Sequence, residues 1–445
     1  MVKGFVIIEI IISFTIISLV ILPLLSIFSV NYKLDMNLAS TLVAIANNSN
    51  IMEHFARNNI FEDFKIRDAT VLEYGNYFNE FIIKSSEKYP FSIINTNLSD
   101  FIGNDFCRID FDEETILNLK SLSNHSKLQY DIGHNNFITD LIVKGNLLYL
   151  TADSSVSSYG DLFIIDFSND TGELVTSLNT GPGTKSFSVV TRYVYLANIS
   201  TVSTFQVVNI ENYQNPKIIY SMKMPQVSAT STSGTGVFSY YYRNHIFLGL
   251  TKNSGLELNI IDISEPNLPK YVTGIELNTQ VNSVLIYNNT LYIASPNVGL
   301  SVYNISDISN PVFIKTYYLS GQSVMDGKSL YRDGEILYLG RTVGGFNNTN
   351  NHEFYKFDIR DPEDPILISS FDFGTTINDI FSSKDYSIVS TIDNEGEVKL
   401  FNHKTMEIEA QFDLPGKANK IVCHNKTLYI GLDSNEVYRI KLSSK

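Results

Sequence analysis

Residues 258–269 read Leu258-Asn259-Ile260-Ile261-Asp262-Ile263-Ser264-Glu265-Pro266-Asn267-Leu268-Pro269. An apolar run ends in an acid, and a proline-bracketed turn follows. The same pattern returns along the chain: Ile164-Ile165-Asp166-Phe167, Val207-Val208-Asn209-Ile210, Val302-Tyr303-Asn304-Ile305, Lys356-Phe357-Asp358-Ile359 and Leu400-Phe401-Asn402. A seventh copy, Arg439-Ile440-Lys441-Leu442, has lost the Asp or Asn. Ahead of each copy stands a short apolar triplet, usually centred on an aromatic. The triplets are Leu148-Tyr149-Leu150, Val194-Tyr195-Leu196, Ile246-Phe247-Leu248, Leu291-Tyr292-Ile293, Leu337-Tyr338-Leu339, Ser387-Ile388-Val389 and Leu428-Tyr429-Ile430. Their centres lie 46, 52, 45, 46, 50 and 41 residues apart.

Further strands flank each pair. One precedes the triplet, as at 140–143, 283–287 and 379–382. Another follows the turn, as at 217–221 and 313–319. Four short strands per roughly 45 residues is the period of a β-propeller blade. Seven copies predict a seven-bladed ring over 125–445. A β-helix is the rival, and its rungs are shorter and more uniform. The last copy stops after three strands. The segment 126–132, SKLQYDI, is expected to supply the missing outer strand by pairing with 437–442.

The stretch 258–269, with the turns at 306–311 and 360–365, resembles the LVIVD repeat, a propeller module of secreted and surface proteins. That resemblance implies the fold and an extracytoplasmic setting, and no single activity.

The other end of the chain is different in kind. Residues 5–30, FVIIEIIISFTIISLVILPLLSIFSV, form an apolar run of about 26 residues, long enough to span a bilayer as a helix. Glu9 is its one ionisable side chain, and a carboxylate at that depth needs a partner. A secretory signal would have a shorter run and a small-residue cleavage site. A plain anchor leaves Glu9 unexplained. Lys3-Gly4-Phe5-Val6-Ile7-Ile8-Glu9 resembles the signal of type IV pilins and pseudopilins. The resemblance implies cutting by a prepilin peptidase between Gly4 and Phe5, with 1–4 as leader. It implies methylation of Phe5 as the new N-terminus, and pairing of Glu9 with a terminal amine of another pilin or pseudopilin subunit. Pro23 stands slightly earlier than the proline common in such helices. Leu38, Leu42, Ile45, Met52 and Phe55 continue the helical spacing, so the helix is expected over 5–60. Residues 61–124 read as a connector or reduced stem. Strands are expected at 78–84 and 105–111, and a short helix from Asp112 to Leu122.

The whole chain has 445 residues, with 33 basic against 47 acidic side chains, a net charge of −14. That balance disfavours a nucleic-acid partner, which needs clustered Lys and Arg. With 28 Phe, 26 Tyr and no Trp, the composition leans to β-structure. Two cysteines exclude a disulfide framework and a Cys-based zinc module.

Catalytic patterns are lacking. The histidines at 54, 125, 134, 245, 352, 403 and 424 have no zinc-binding spacing, and there is no G-x-S-x-G elbow or phosphate-binding glycine loop. Cys423 beside His424 sits in an apolar run, which reads as a buried thiol rather than a nucleophile. It also has the option of one disulfide with Cys107. The acidic clusters 110–114 and 166–173 match no calcium loop and read as solvated acids, with a hairpin turn at 169–172. No metal, cofactor or enzymatic activity is expected.

Polar residues opening the innermost strands, Asp140, Asn282, Asn378 and Asn419, are candidates for a ligand-binding ring at the channel mouth. Arg341 and Phe346 belong to the long loop 341–353, expected on the same face with loops 153–159 and 251–256. The plainer reading is that these side chains satisfy backbone and solvent. Tyr240-Tyr241-Tyr242 reads as a strand whose alternate rings pack between blades. The chain is therefore expected to be mainly β, a seven-bladed β-propeller preceded by a long N-terminal pilin-like transmembrane helix. The functional expectation is a single-pass protein of the cytoplasmic membrane. Its propeller would lie outside the cytoplasm and bind a surface glycan or protein, as a minor pilin or pseudopilin. The alternatives are a tethered enzyme acting on polysaccharide and a simple anchored surface protein.

Overall fold

The computed structural model describes residues 69–74, 80–85, 94–97, 116, 119 and 127–441, apart from 132–135, 155–159, 169–171, 226–232, 318–325, 344–351, 384 and 425–426. The leader, the 5–60 helix with Gly4, Phe5 and Glu9, and Phe346 lie outside the described residues. Among the described residues no helix is long and apolar enough to cross a membrane.

The chain divides into two units, 1–103 and 104–445. The first contains a three-stranded antiparallel sheet of β1 (Ala69–Tyr74), β2 (Glu80–Ser85) and β3 (Ile94–Asn97). The expected strand 78–84 overlaps β2. β3 reads INTN, with no apolar alternation to announce it.

The second unit is a seven-bladed propeller. Blade 1 is β5 (Asn136–Lys144), β6 (Leu147–Ser154), β7 (Leu162–Asp166) and β8 (Glu173–Leu178). Blade 2 is β9 (Thr184–Val190), β10 (Tyr193–Asn198), β11 (Phe205–Asn209) and β12 (Lys217–Met222). Blade 3 is β13 (Gly236–Tyr242), β14 (His245–Leu250), β15 (Leu258–Asp262) and β16 (Lys270–Ile275). Blade 4 is β17 (Ser283–Tyr287), β18 (Thr290–Ser295), β19 (Gly299–Asn304) and β20 (Val312–Tyr317). Blade 5 is β21 (Gly327–Asp333), β22 (Ile336–Arg341), β23 (Phe354–Asp358) and β24 (Ile366–Phe371). Blade 6 is β25 (Ile377–Ser383), β26 (Tyr386–Thr391), β27 (Val398–Asn402) and β28 (Glu407–Phe412). Blade 7 takes β29 (Ala418–His424), β30 (Thr427–Leu432) and β31 (Glu436–Lys441), and its outer strand is β4 (Lys127–Asp131). β4 runs antiparallel to β31, with Val437 opposite Tyr130 and Arg439 opposite Leu128. First strands pack on first strands all the way round, β29 against β5 included, so they line the axis.

The apolar triplets explain themselves in this frame. Second strands are buried on both faces, so neighbouring residues of the triplet serve different blades. Leu148 and Leu150 pack towards blade 7, and Tyr149 packs towards blade 2. Val194 and Leu196 face blade 1, while Tyr195 faces blade 3. The rule holds for Phe247, Tyr292, Tyr338, Ile388 and Tyr429, each of which faces the following blade. Buried apolar side chains thus fall into seven clusters, each shared by two adjacent blades. Tyr241 faces blade 2, and Tyr240 and Tyr242 face blade 4, so the three tyrosines pack between blades.

The Asp or Asn that ends six of the seven third strands has a local purpose. Its Oδ1 accepts the N–H two residues on: Ser168 to Asp166, Glu211 to Asn209, Ser264 to Asp262, Ser306 to Asn304, Arg360 to Asp358 and Lys404 to Asn402. These Asx turns stop the strand and start the connection to the fourth. At the same end, Asn288 and Asn289 both take positive φ, 47° and 61°, in a two-residue hairpin turn that needs left-handed backbone.

Residues 116 and 119 are helical, within the expected helix from Asp112 to Leu122, and Leu119 is fully buried among the side chains of blades 6 and 7. Cys423, in β29 beside the same cluster, is disulfide-bonded. This corrects the reading of Cys423 as an inert thiol: its sulfur is committed to a covalent bond. The other cysteine, Cys107, lies outside the described residues.

Candidate functional site

The first strand of a blade enters the ring with one residue too many. In six blades the register of the first two strands skips a single residue near that entry: Thr139, Lys185, Val237, Lys328, Asn378 and Asn419. Each is a β-bulge, which kinks the strand and re-aims the side chain. In blade 4 the equivalent residue, Asn282, stands just before β17. The seven positions form a ring at the mouth of the channel.

The bulged side chains reach sideways to the next blade. Asn282 Nδ2 donates to the Gly327 carbonyl at 2.7 Å, Asn378 Nδ2 to Ala418 at 2.9 Å, and Asn419 Nδ2 to Ile138 at 2.9 Å. Thr139 Oγ1 donates to the Thr184 carbonyl at 2.6 Å. One geometry therefore recurs at four of the seven joints, including the joint between the last blade and the first. The amides of the three candidate asparagines are donors to the ring itself. Asn378 also meets Asn419 at 3.5 Å.

One residue further in lies a charged triad. Asp140 of blade 1 and Asp379 of blade 6 are both 7% exposed. Lys420 of blade 7 sits between them, with Nζ 3.3 Å from Asp379 Oδ2 and 3.8 Å from Asp140 Oδ1. Each carboxylate also accepts from the following blade. Ser186 Oγ donates to Asp140 at 2.7 Å, and the Ile421 N–H donates to Asp379 at 3.0 Å. Burial pushes the Asp140 carboxyl above the usual range, against the pull of Lys420. The two carboxylates hold the Lys420 ammonium up at about 12 although burial works the other way. The three groups tie blades 1, 6 and 7 together.

Arg341 ends β22 and is 3% exposed. Its Nη1 donates to the His352 carbonyl at 2.9 Å, and its guanidinium lies over the Tyr355 ring. The Arg341 guanidinium is thereby held between the His352 carbonyl and the Tyr355 ring.

A second set of acids was legible only as a weak repeat. Asp161, Glu257, Glu353 and Glu397 each stand five residues before the Asp or Asn of the Asx turn. All four are buried, and each accepts N–H groups from the loop leading to the next blade. Glu353 takes Phe373 and Gly374, Glu257 takes Leu277 and Asn278, Asp161 takes Thr180 and Gly181, and Glu397 takes Leu414. Burial raises Glu353 to about 7 and Asp161 to about 6. These acids brace the loops of the face that carries the channel mouth. Among the described residues no group of three His, Cys, Asp or Glu side chains is placed to hold a metal ion.

No family model matches the chain, and no curated protein matches it. Solved structures do. The β-propeller domain of Myceliophteria thermophila Cps50 (Swd1) superposes with a TM-score of 0.53 at 12% identity, covering 71% of this chain and 100% of that one. Saccharomyces cerevisiae Sqt1 superposes with a TM-score of 0.51 at 10% identity, covering 72% of this chain and 100% of that one. At such identity the likeness is one of fold.

Proposed function

We propose that this chain is a minor pilin or pseudopilin-like surface protein that displays its propeller as a binding head. The observation that carries the reading is the order of residues 3–9, a basic residue, Gly4, Phe5, hydrophobics and Glu9, opening a long apolar run. Glu9 has a purpose in that run only if a positive charge meets it, and cleavage after Gly4 creates one. The disulfide at Cys423 supports an extracytoplasmic head, since such bonds persist in oxidising compartments. Seven blades are bulky beside a single helix, which favours a rare or tip position over that of the main repeating subunit.

The head is read as a binding module and not as an enzyme. Asp140 and Asp379, paired acids on first strands, share one ammonium and accept hydrogen bonds from neighbouring blades. A glycosidase pair needs one carboxyl poised as acid and the other free to attack or activate water. The partners implied are a prepilin peptidase, other pilin or pseudopilin subunits, the membrane, and a surface glycan or protein.

Mass spectrometry of the purified protein tests the reading. The expected N-terminus is a methylated Phe5, and an intact Met1 overturns it. Glu9→Ala is expected to leave membrane insertion intact and to abolish incorporation into filaments.

A further inference from the structure

Two of the seven mouth positions break the pattern of the others. Thr139, Asn282, Asn378 and Asn419 spend their donors on the next blade, and Val237 has none to spend. Lys185 of blade 2 and Lys328 of blade 5 carry ammonium groups at the same level of the ring. Three joints separate those blades on one side and four on the other, so the two lysines stand on opposite sides of the mouth.

Lys185 has a partial partner, Asp153 at 2.6 Å, and the pair is about one-third exposed. Lys328 is half-buried and, among the described residues, makes no hydrogen bond or ion pair. Burial pushes its ammonium below the ordinary lysine value, and Lys185 pushes the same way. Among the described residues no carboxylate offsets the two effects. Asp140 and Asp379 are occupied by Lys420, and Asp326, two residues before Lys328, accepts from the Asn297 N–H and Thr342 Oγ1. A half-buried cation facing a like charge is costly, and proteins keep such groups where something negative binds. The bulge re-aims this side chain as it re-aims the asparagines. Here it serves no joint.

We propose that the channel mouth binds a compact oxyanion, a carboxylate or phosphate group, between the ammonium groups of Lys185 and Lys328. The ring supplies charge from two opposite blades and leaves the anion reachable from one face. This deepens the binding role by naming the chemistry of the ligand. It rests on that reading only for the ligand's source on a surface, and the N-terminal assays above test that reading separately.

The test is isothermal titration of the full-length protein in detergent micelles at pH 7 and fixed ionic strength. The probes are galacturonate, its neutral counterpart galactose, and inorganic phosphate. Saturable binding of galacturonate or phosphate without binding of galactose is expected, and the stronger of the two identifies carboxylate or phosphate as the source. Lys328→Met is expected to weaken that binding at least tenfold, as loss of a charge-assisted contact does. It should do so without lowering Tm, because the lysine removed had no partner in the ring. Lys328→Gln serves as a second variant that keeps a polar end. Absence of binding by all probes up to 50 mM overturns the proposal. So does unchanged affinity in both variants, which would place the anion elsewhere on the molecule.

Discussion

Replacing Lys420 by Met removes the one ammonium that Asp140 and Asp379 share. The attraction lost is large in gross terms. At 3.3 and 3.8 Å, and an effective dielectric of about 20, the two contacts are worth about 5 and about 4 kcal/mol. Most of this is returned, since an ammonium no longer has to leave water on folding. What is not returned is the plight of two carboxylates, nearly buried and facing each other without a counter-ion. The net loss should be about 3 kcal/mol, the low end for breaking a buried pair from one side. For a unit of this size that is a fall in Tm of roughly 4 °C. Urea denaturation followed by far-UV circular dichroism measures it, because urea leaves the charges unscreened. Asp140→Asn placed in the Lys420→Met background should restore part of the loss, and a double-mutant cycle isolates the coupling. Lys420 is held above its ordinary value, so its contribution is complete below about 10.5 and fades as pH rises through about 12. The gap between wild type and variant should therefore be flat from about pH 7 to pH 10. A loss under about 1 kcal/mol at pH 7, or no rescue by Asp140→Asn, refutes the reasoning.

Asn419→Ala removes the bond that joins blade 7 to blade 1 and leaves the Ile138 carbonyl without it. It should cost about 1–3 kcal/mol in the same urea assay. Glu353 is raised to about 7 by burial, so ionising it as pH climbs from about 4.5 opposes folding. The Tm of Glu353→Gln should be flatter than wild type between pH 5 and pH 8, with its relative gain at pH 8. Gly327→Ala would put a Cβ 2.3 Å from the Gly299 carbonyl oxygen in the neighbouring blade. Backbone cannot move aside as a side chain does, and the substitution should destabilise by about 1–3 kcal/mol, read by thermal denaturation.

The ring was readable because its repeat is written in residues that answer to local rules. A triplet buried on both faces must be apolar, and an Asx turn must be Asp or Asn. Tyr292 and Asn304 announce a blade whatever surrounds them. Asn282, Asn378 and Asn419 could be placed at the mouth for the same reason, since they open the first strands. Their service to the next blade could not be read. It depends on which residue of the strand is unpaired, and a bulge leaves no mark in composition. Lys185 and Lys328 were passed over because each is an ordinary residue in its own sequence, T-K-S and G-K-S. They become exceptional only when seven registers are laid side by side. The burial of Arg341 could not be read either: it begins a long polar loop in the sequence, and its guanidinium lies over the Tyr355 ring.

The pairing of β4 with β31 has a consequence in time. Blade 7 joins Lys127 to Ile440, so its outer hydrogen bonds span almost the whole second unit. On the ribosome six blades can assemble as they emerge, while β4 waits with its edge unsatisfied until β31 leaves the exit tunnel. High contact order of this kind slows the final step, and a partly built ring is the species most exposed to aggregation. The same contact makes closure of the ring conditional on synthesis of β31, so that a polypeptide cut short before Glu436 leaves β4 unpaired.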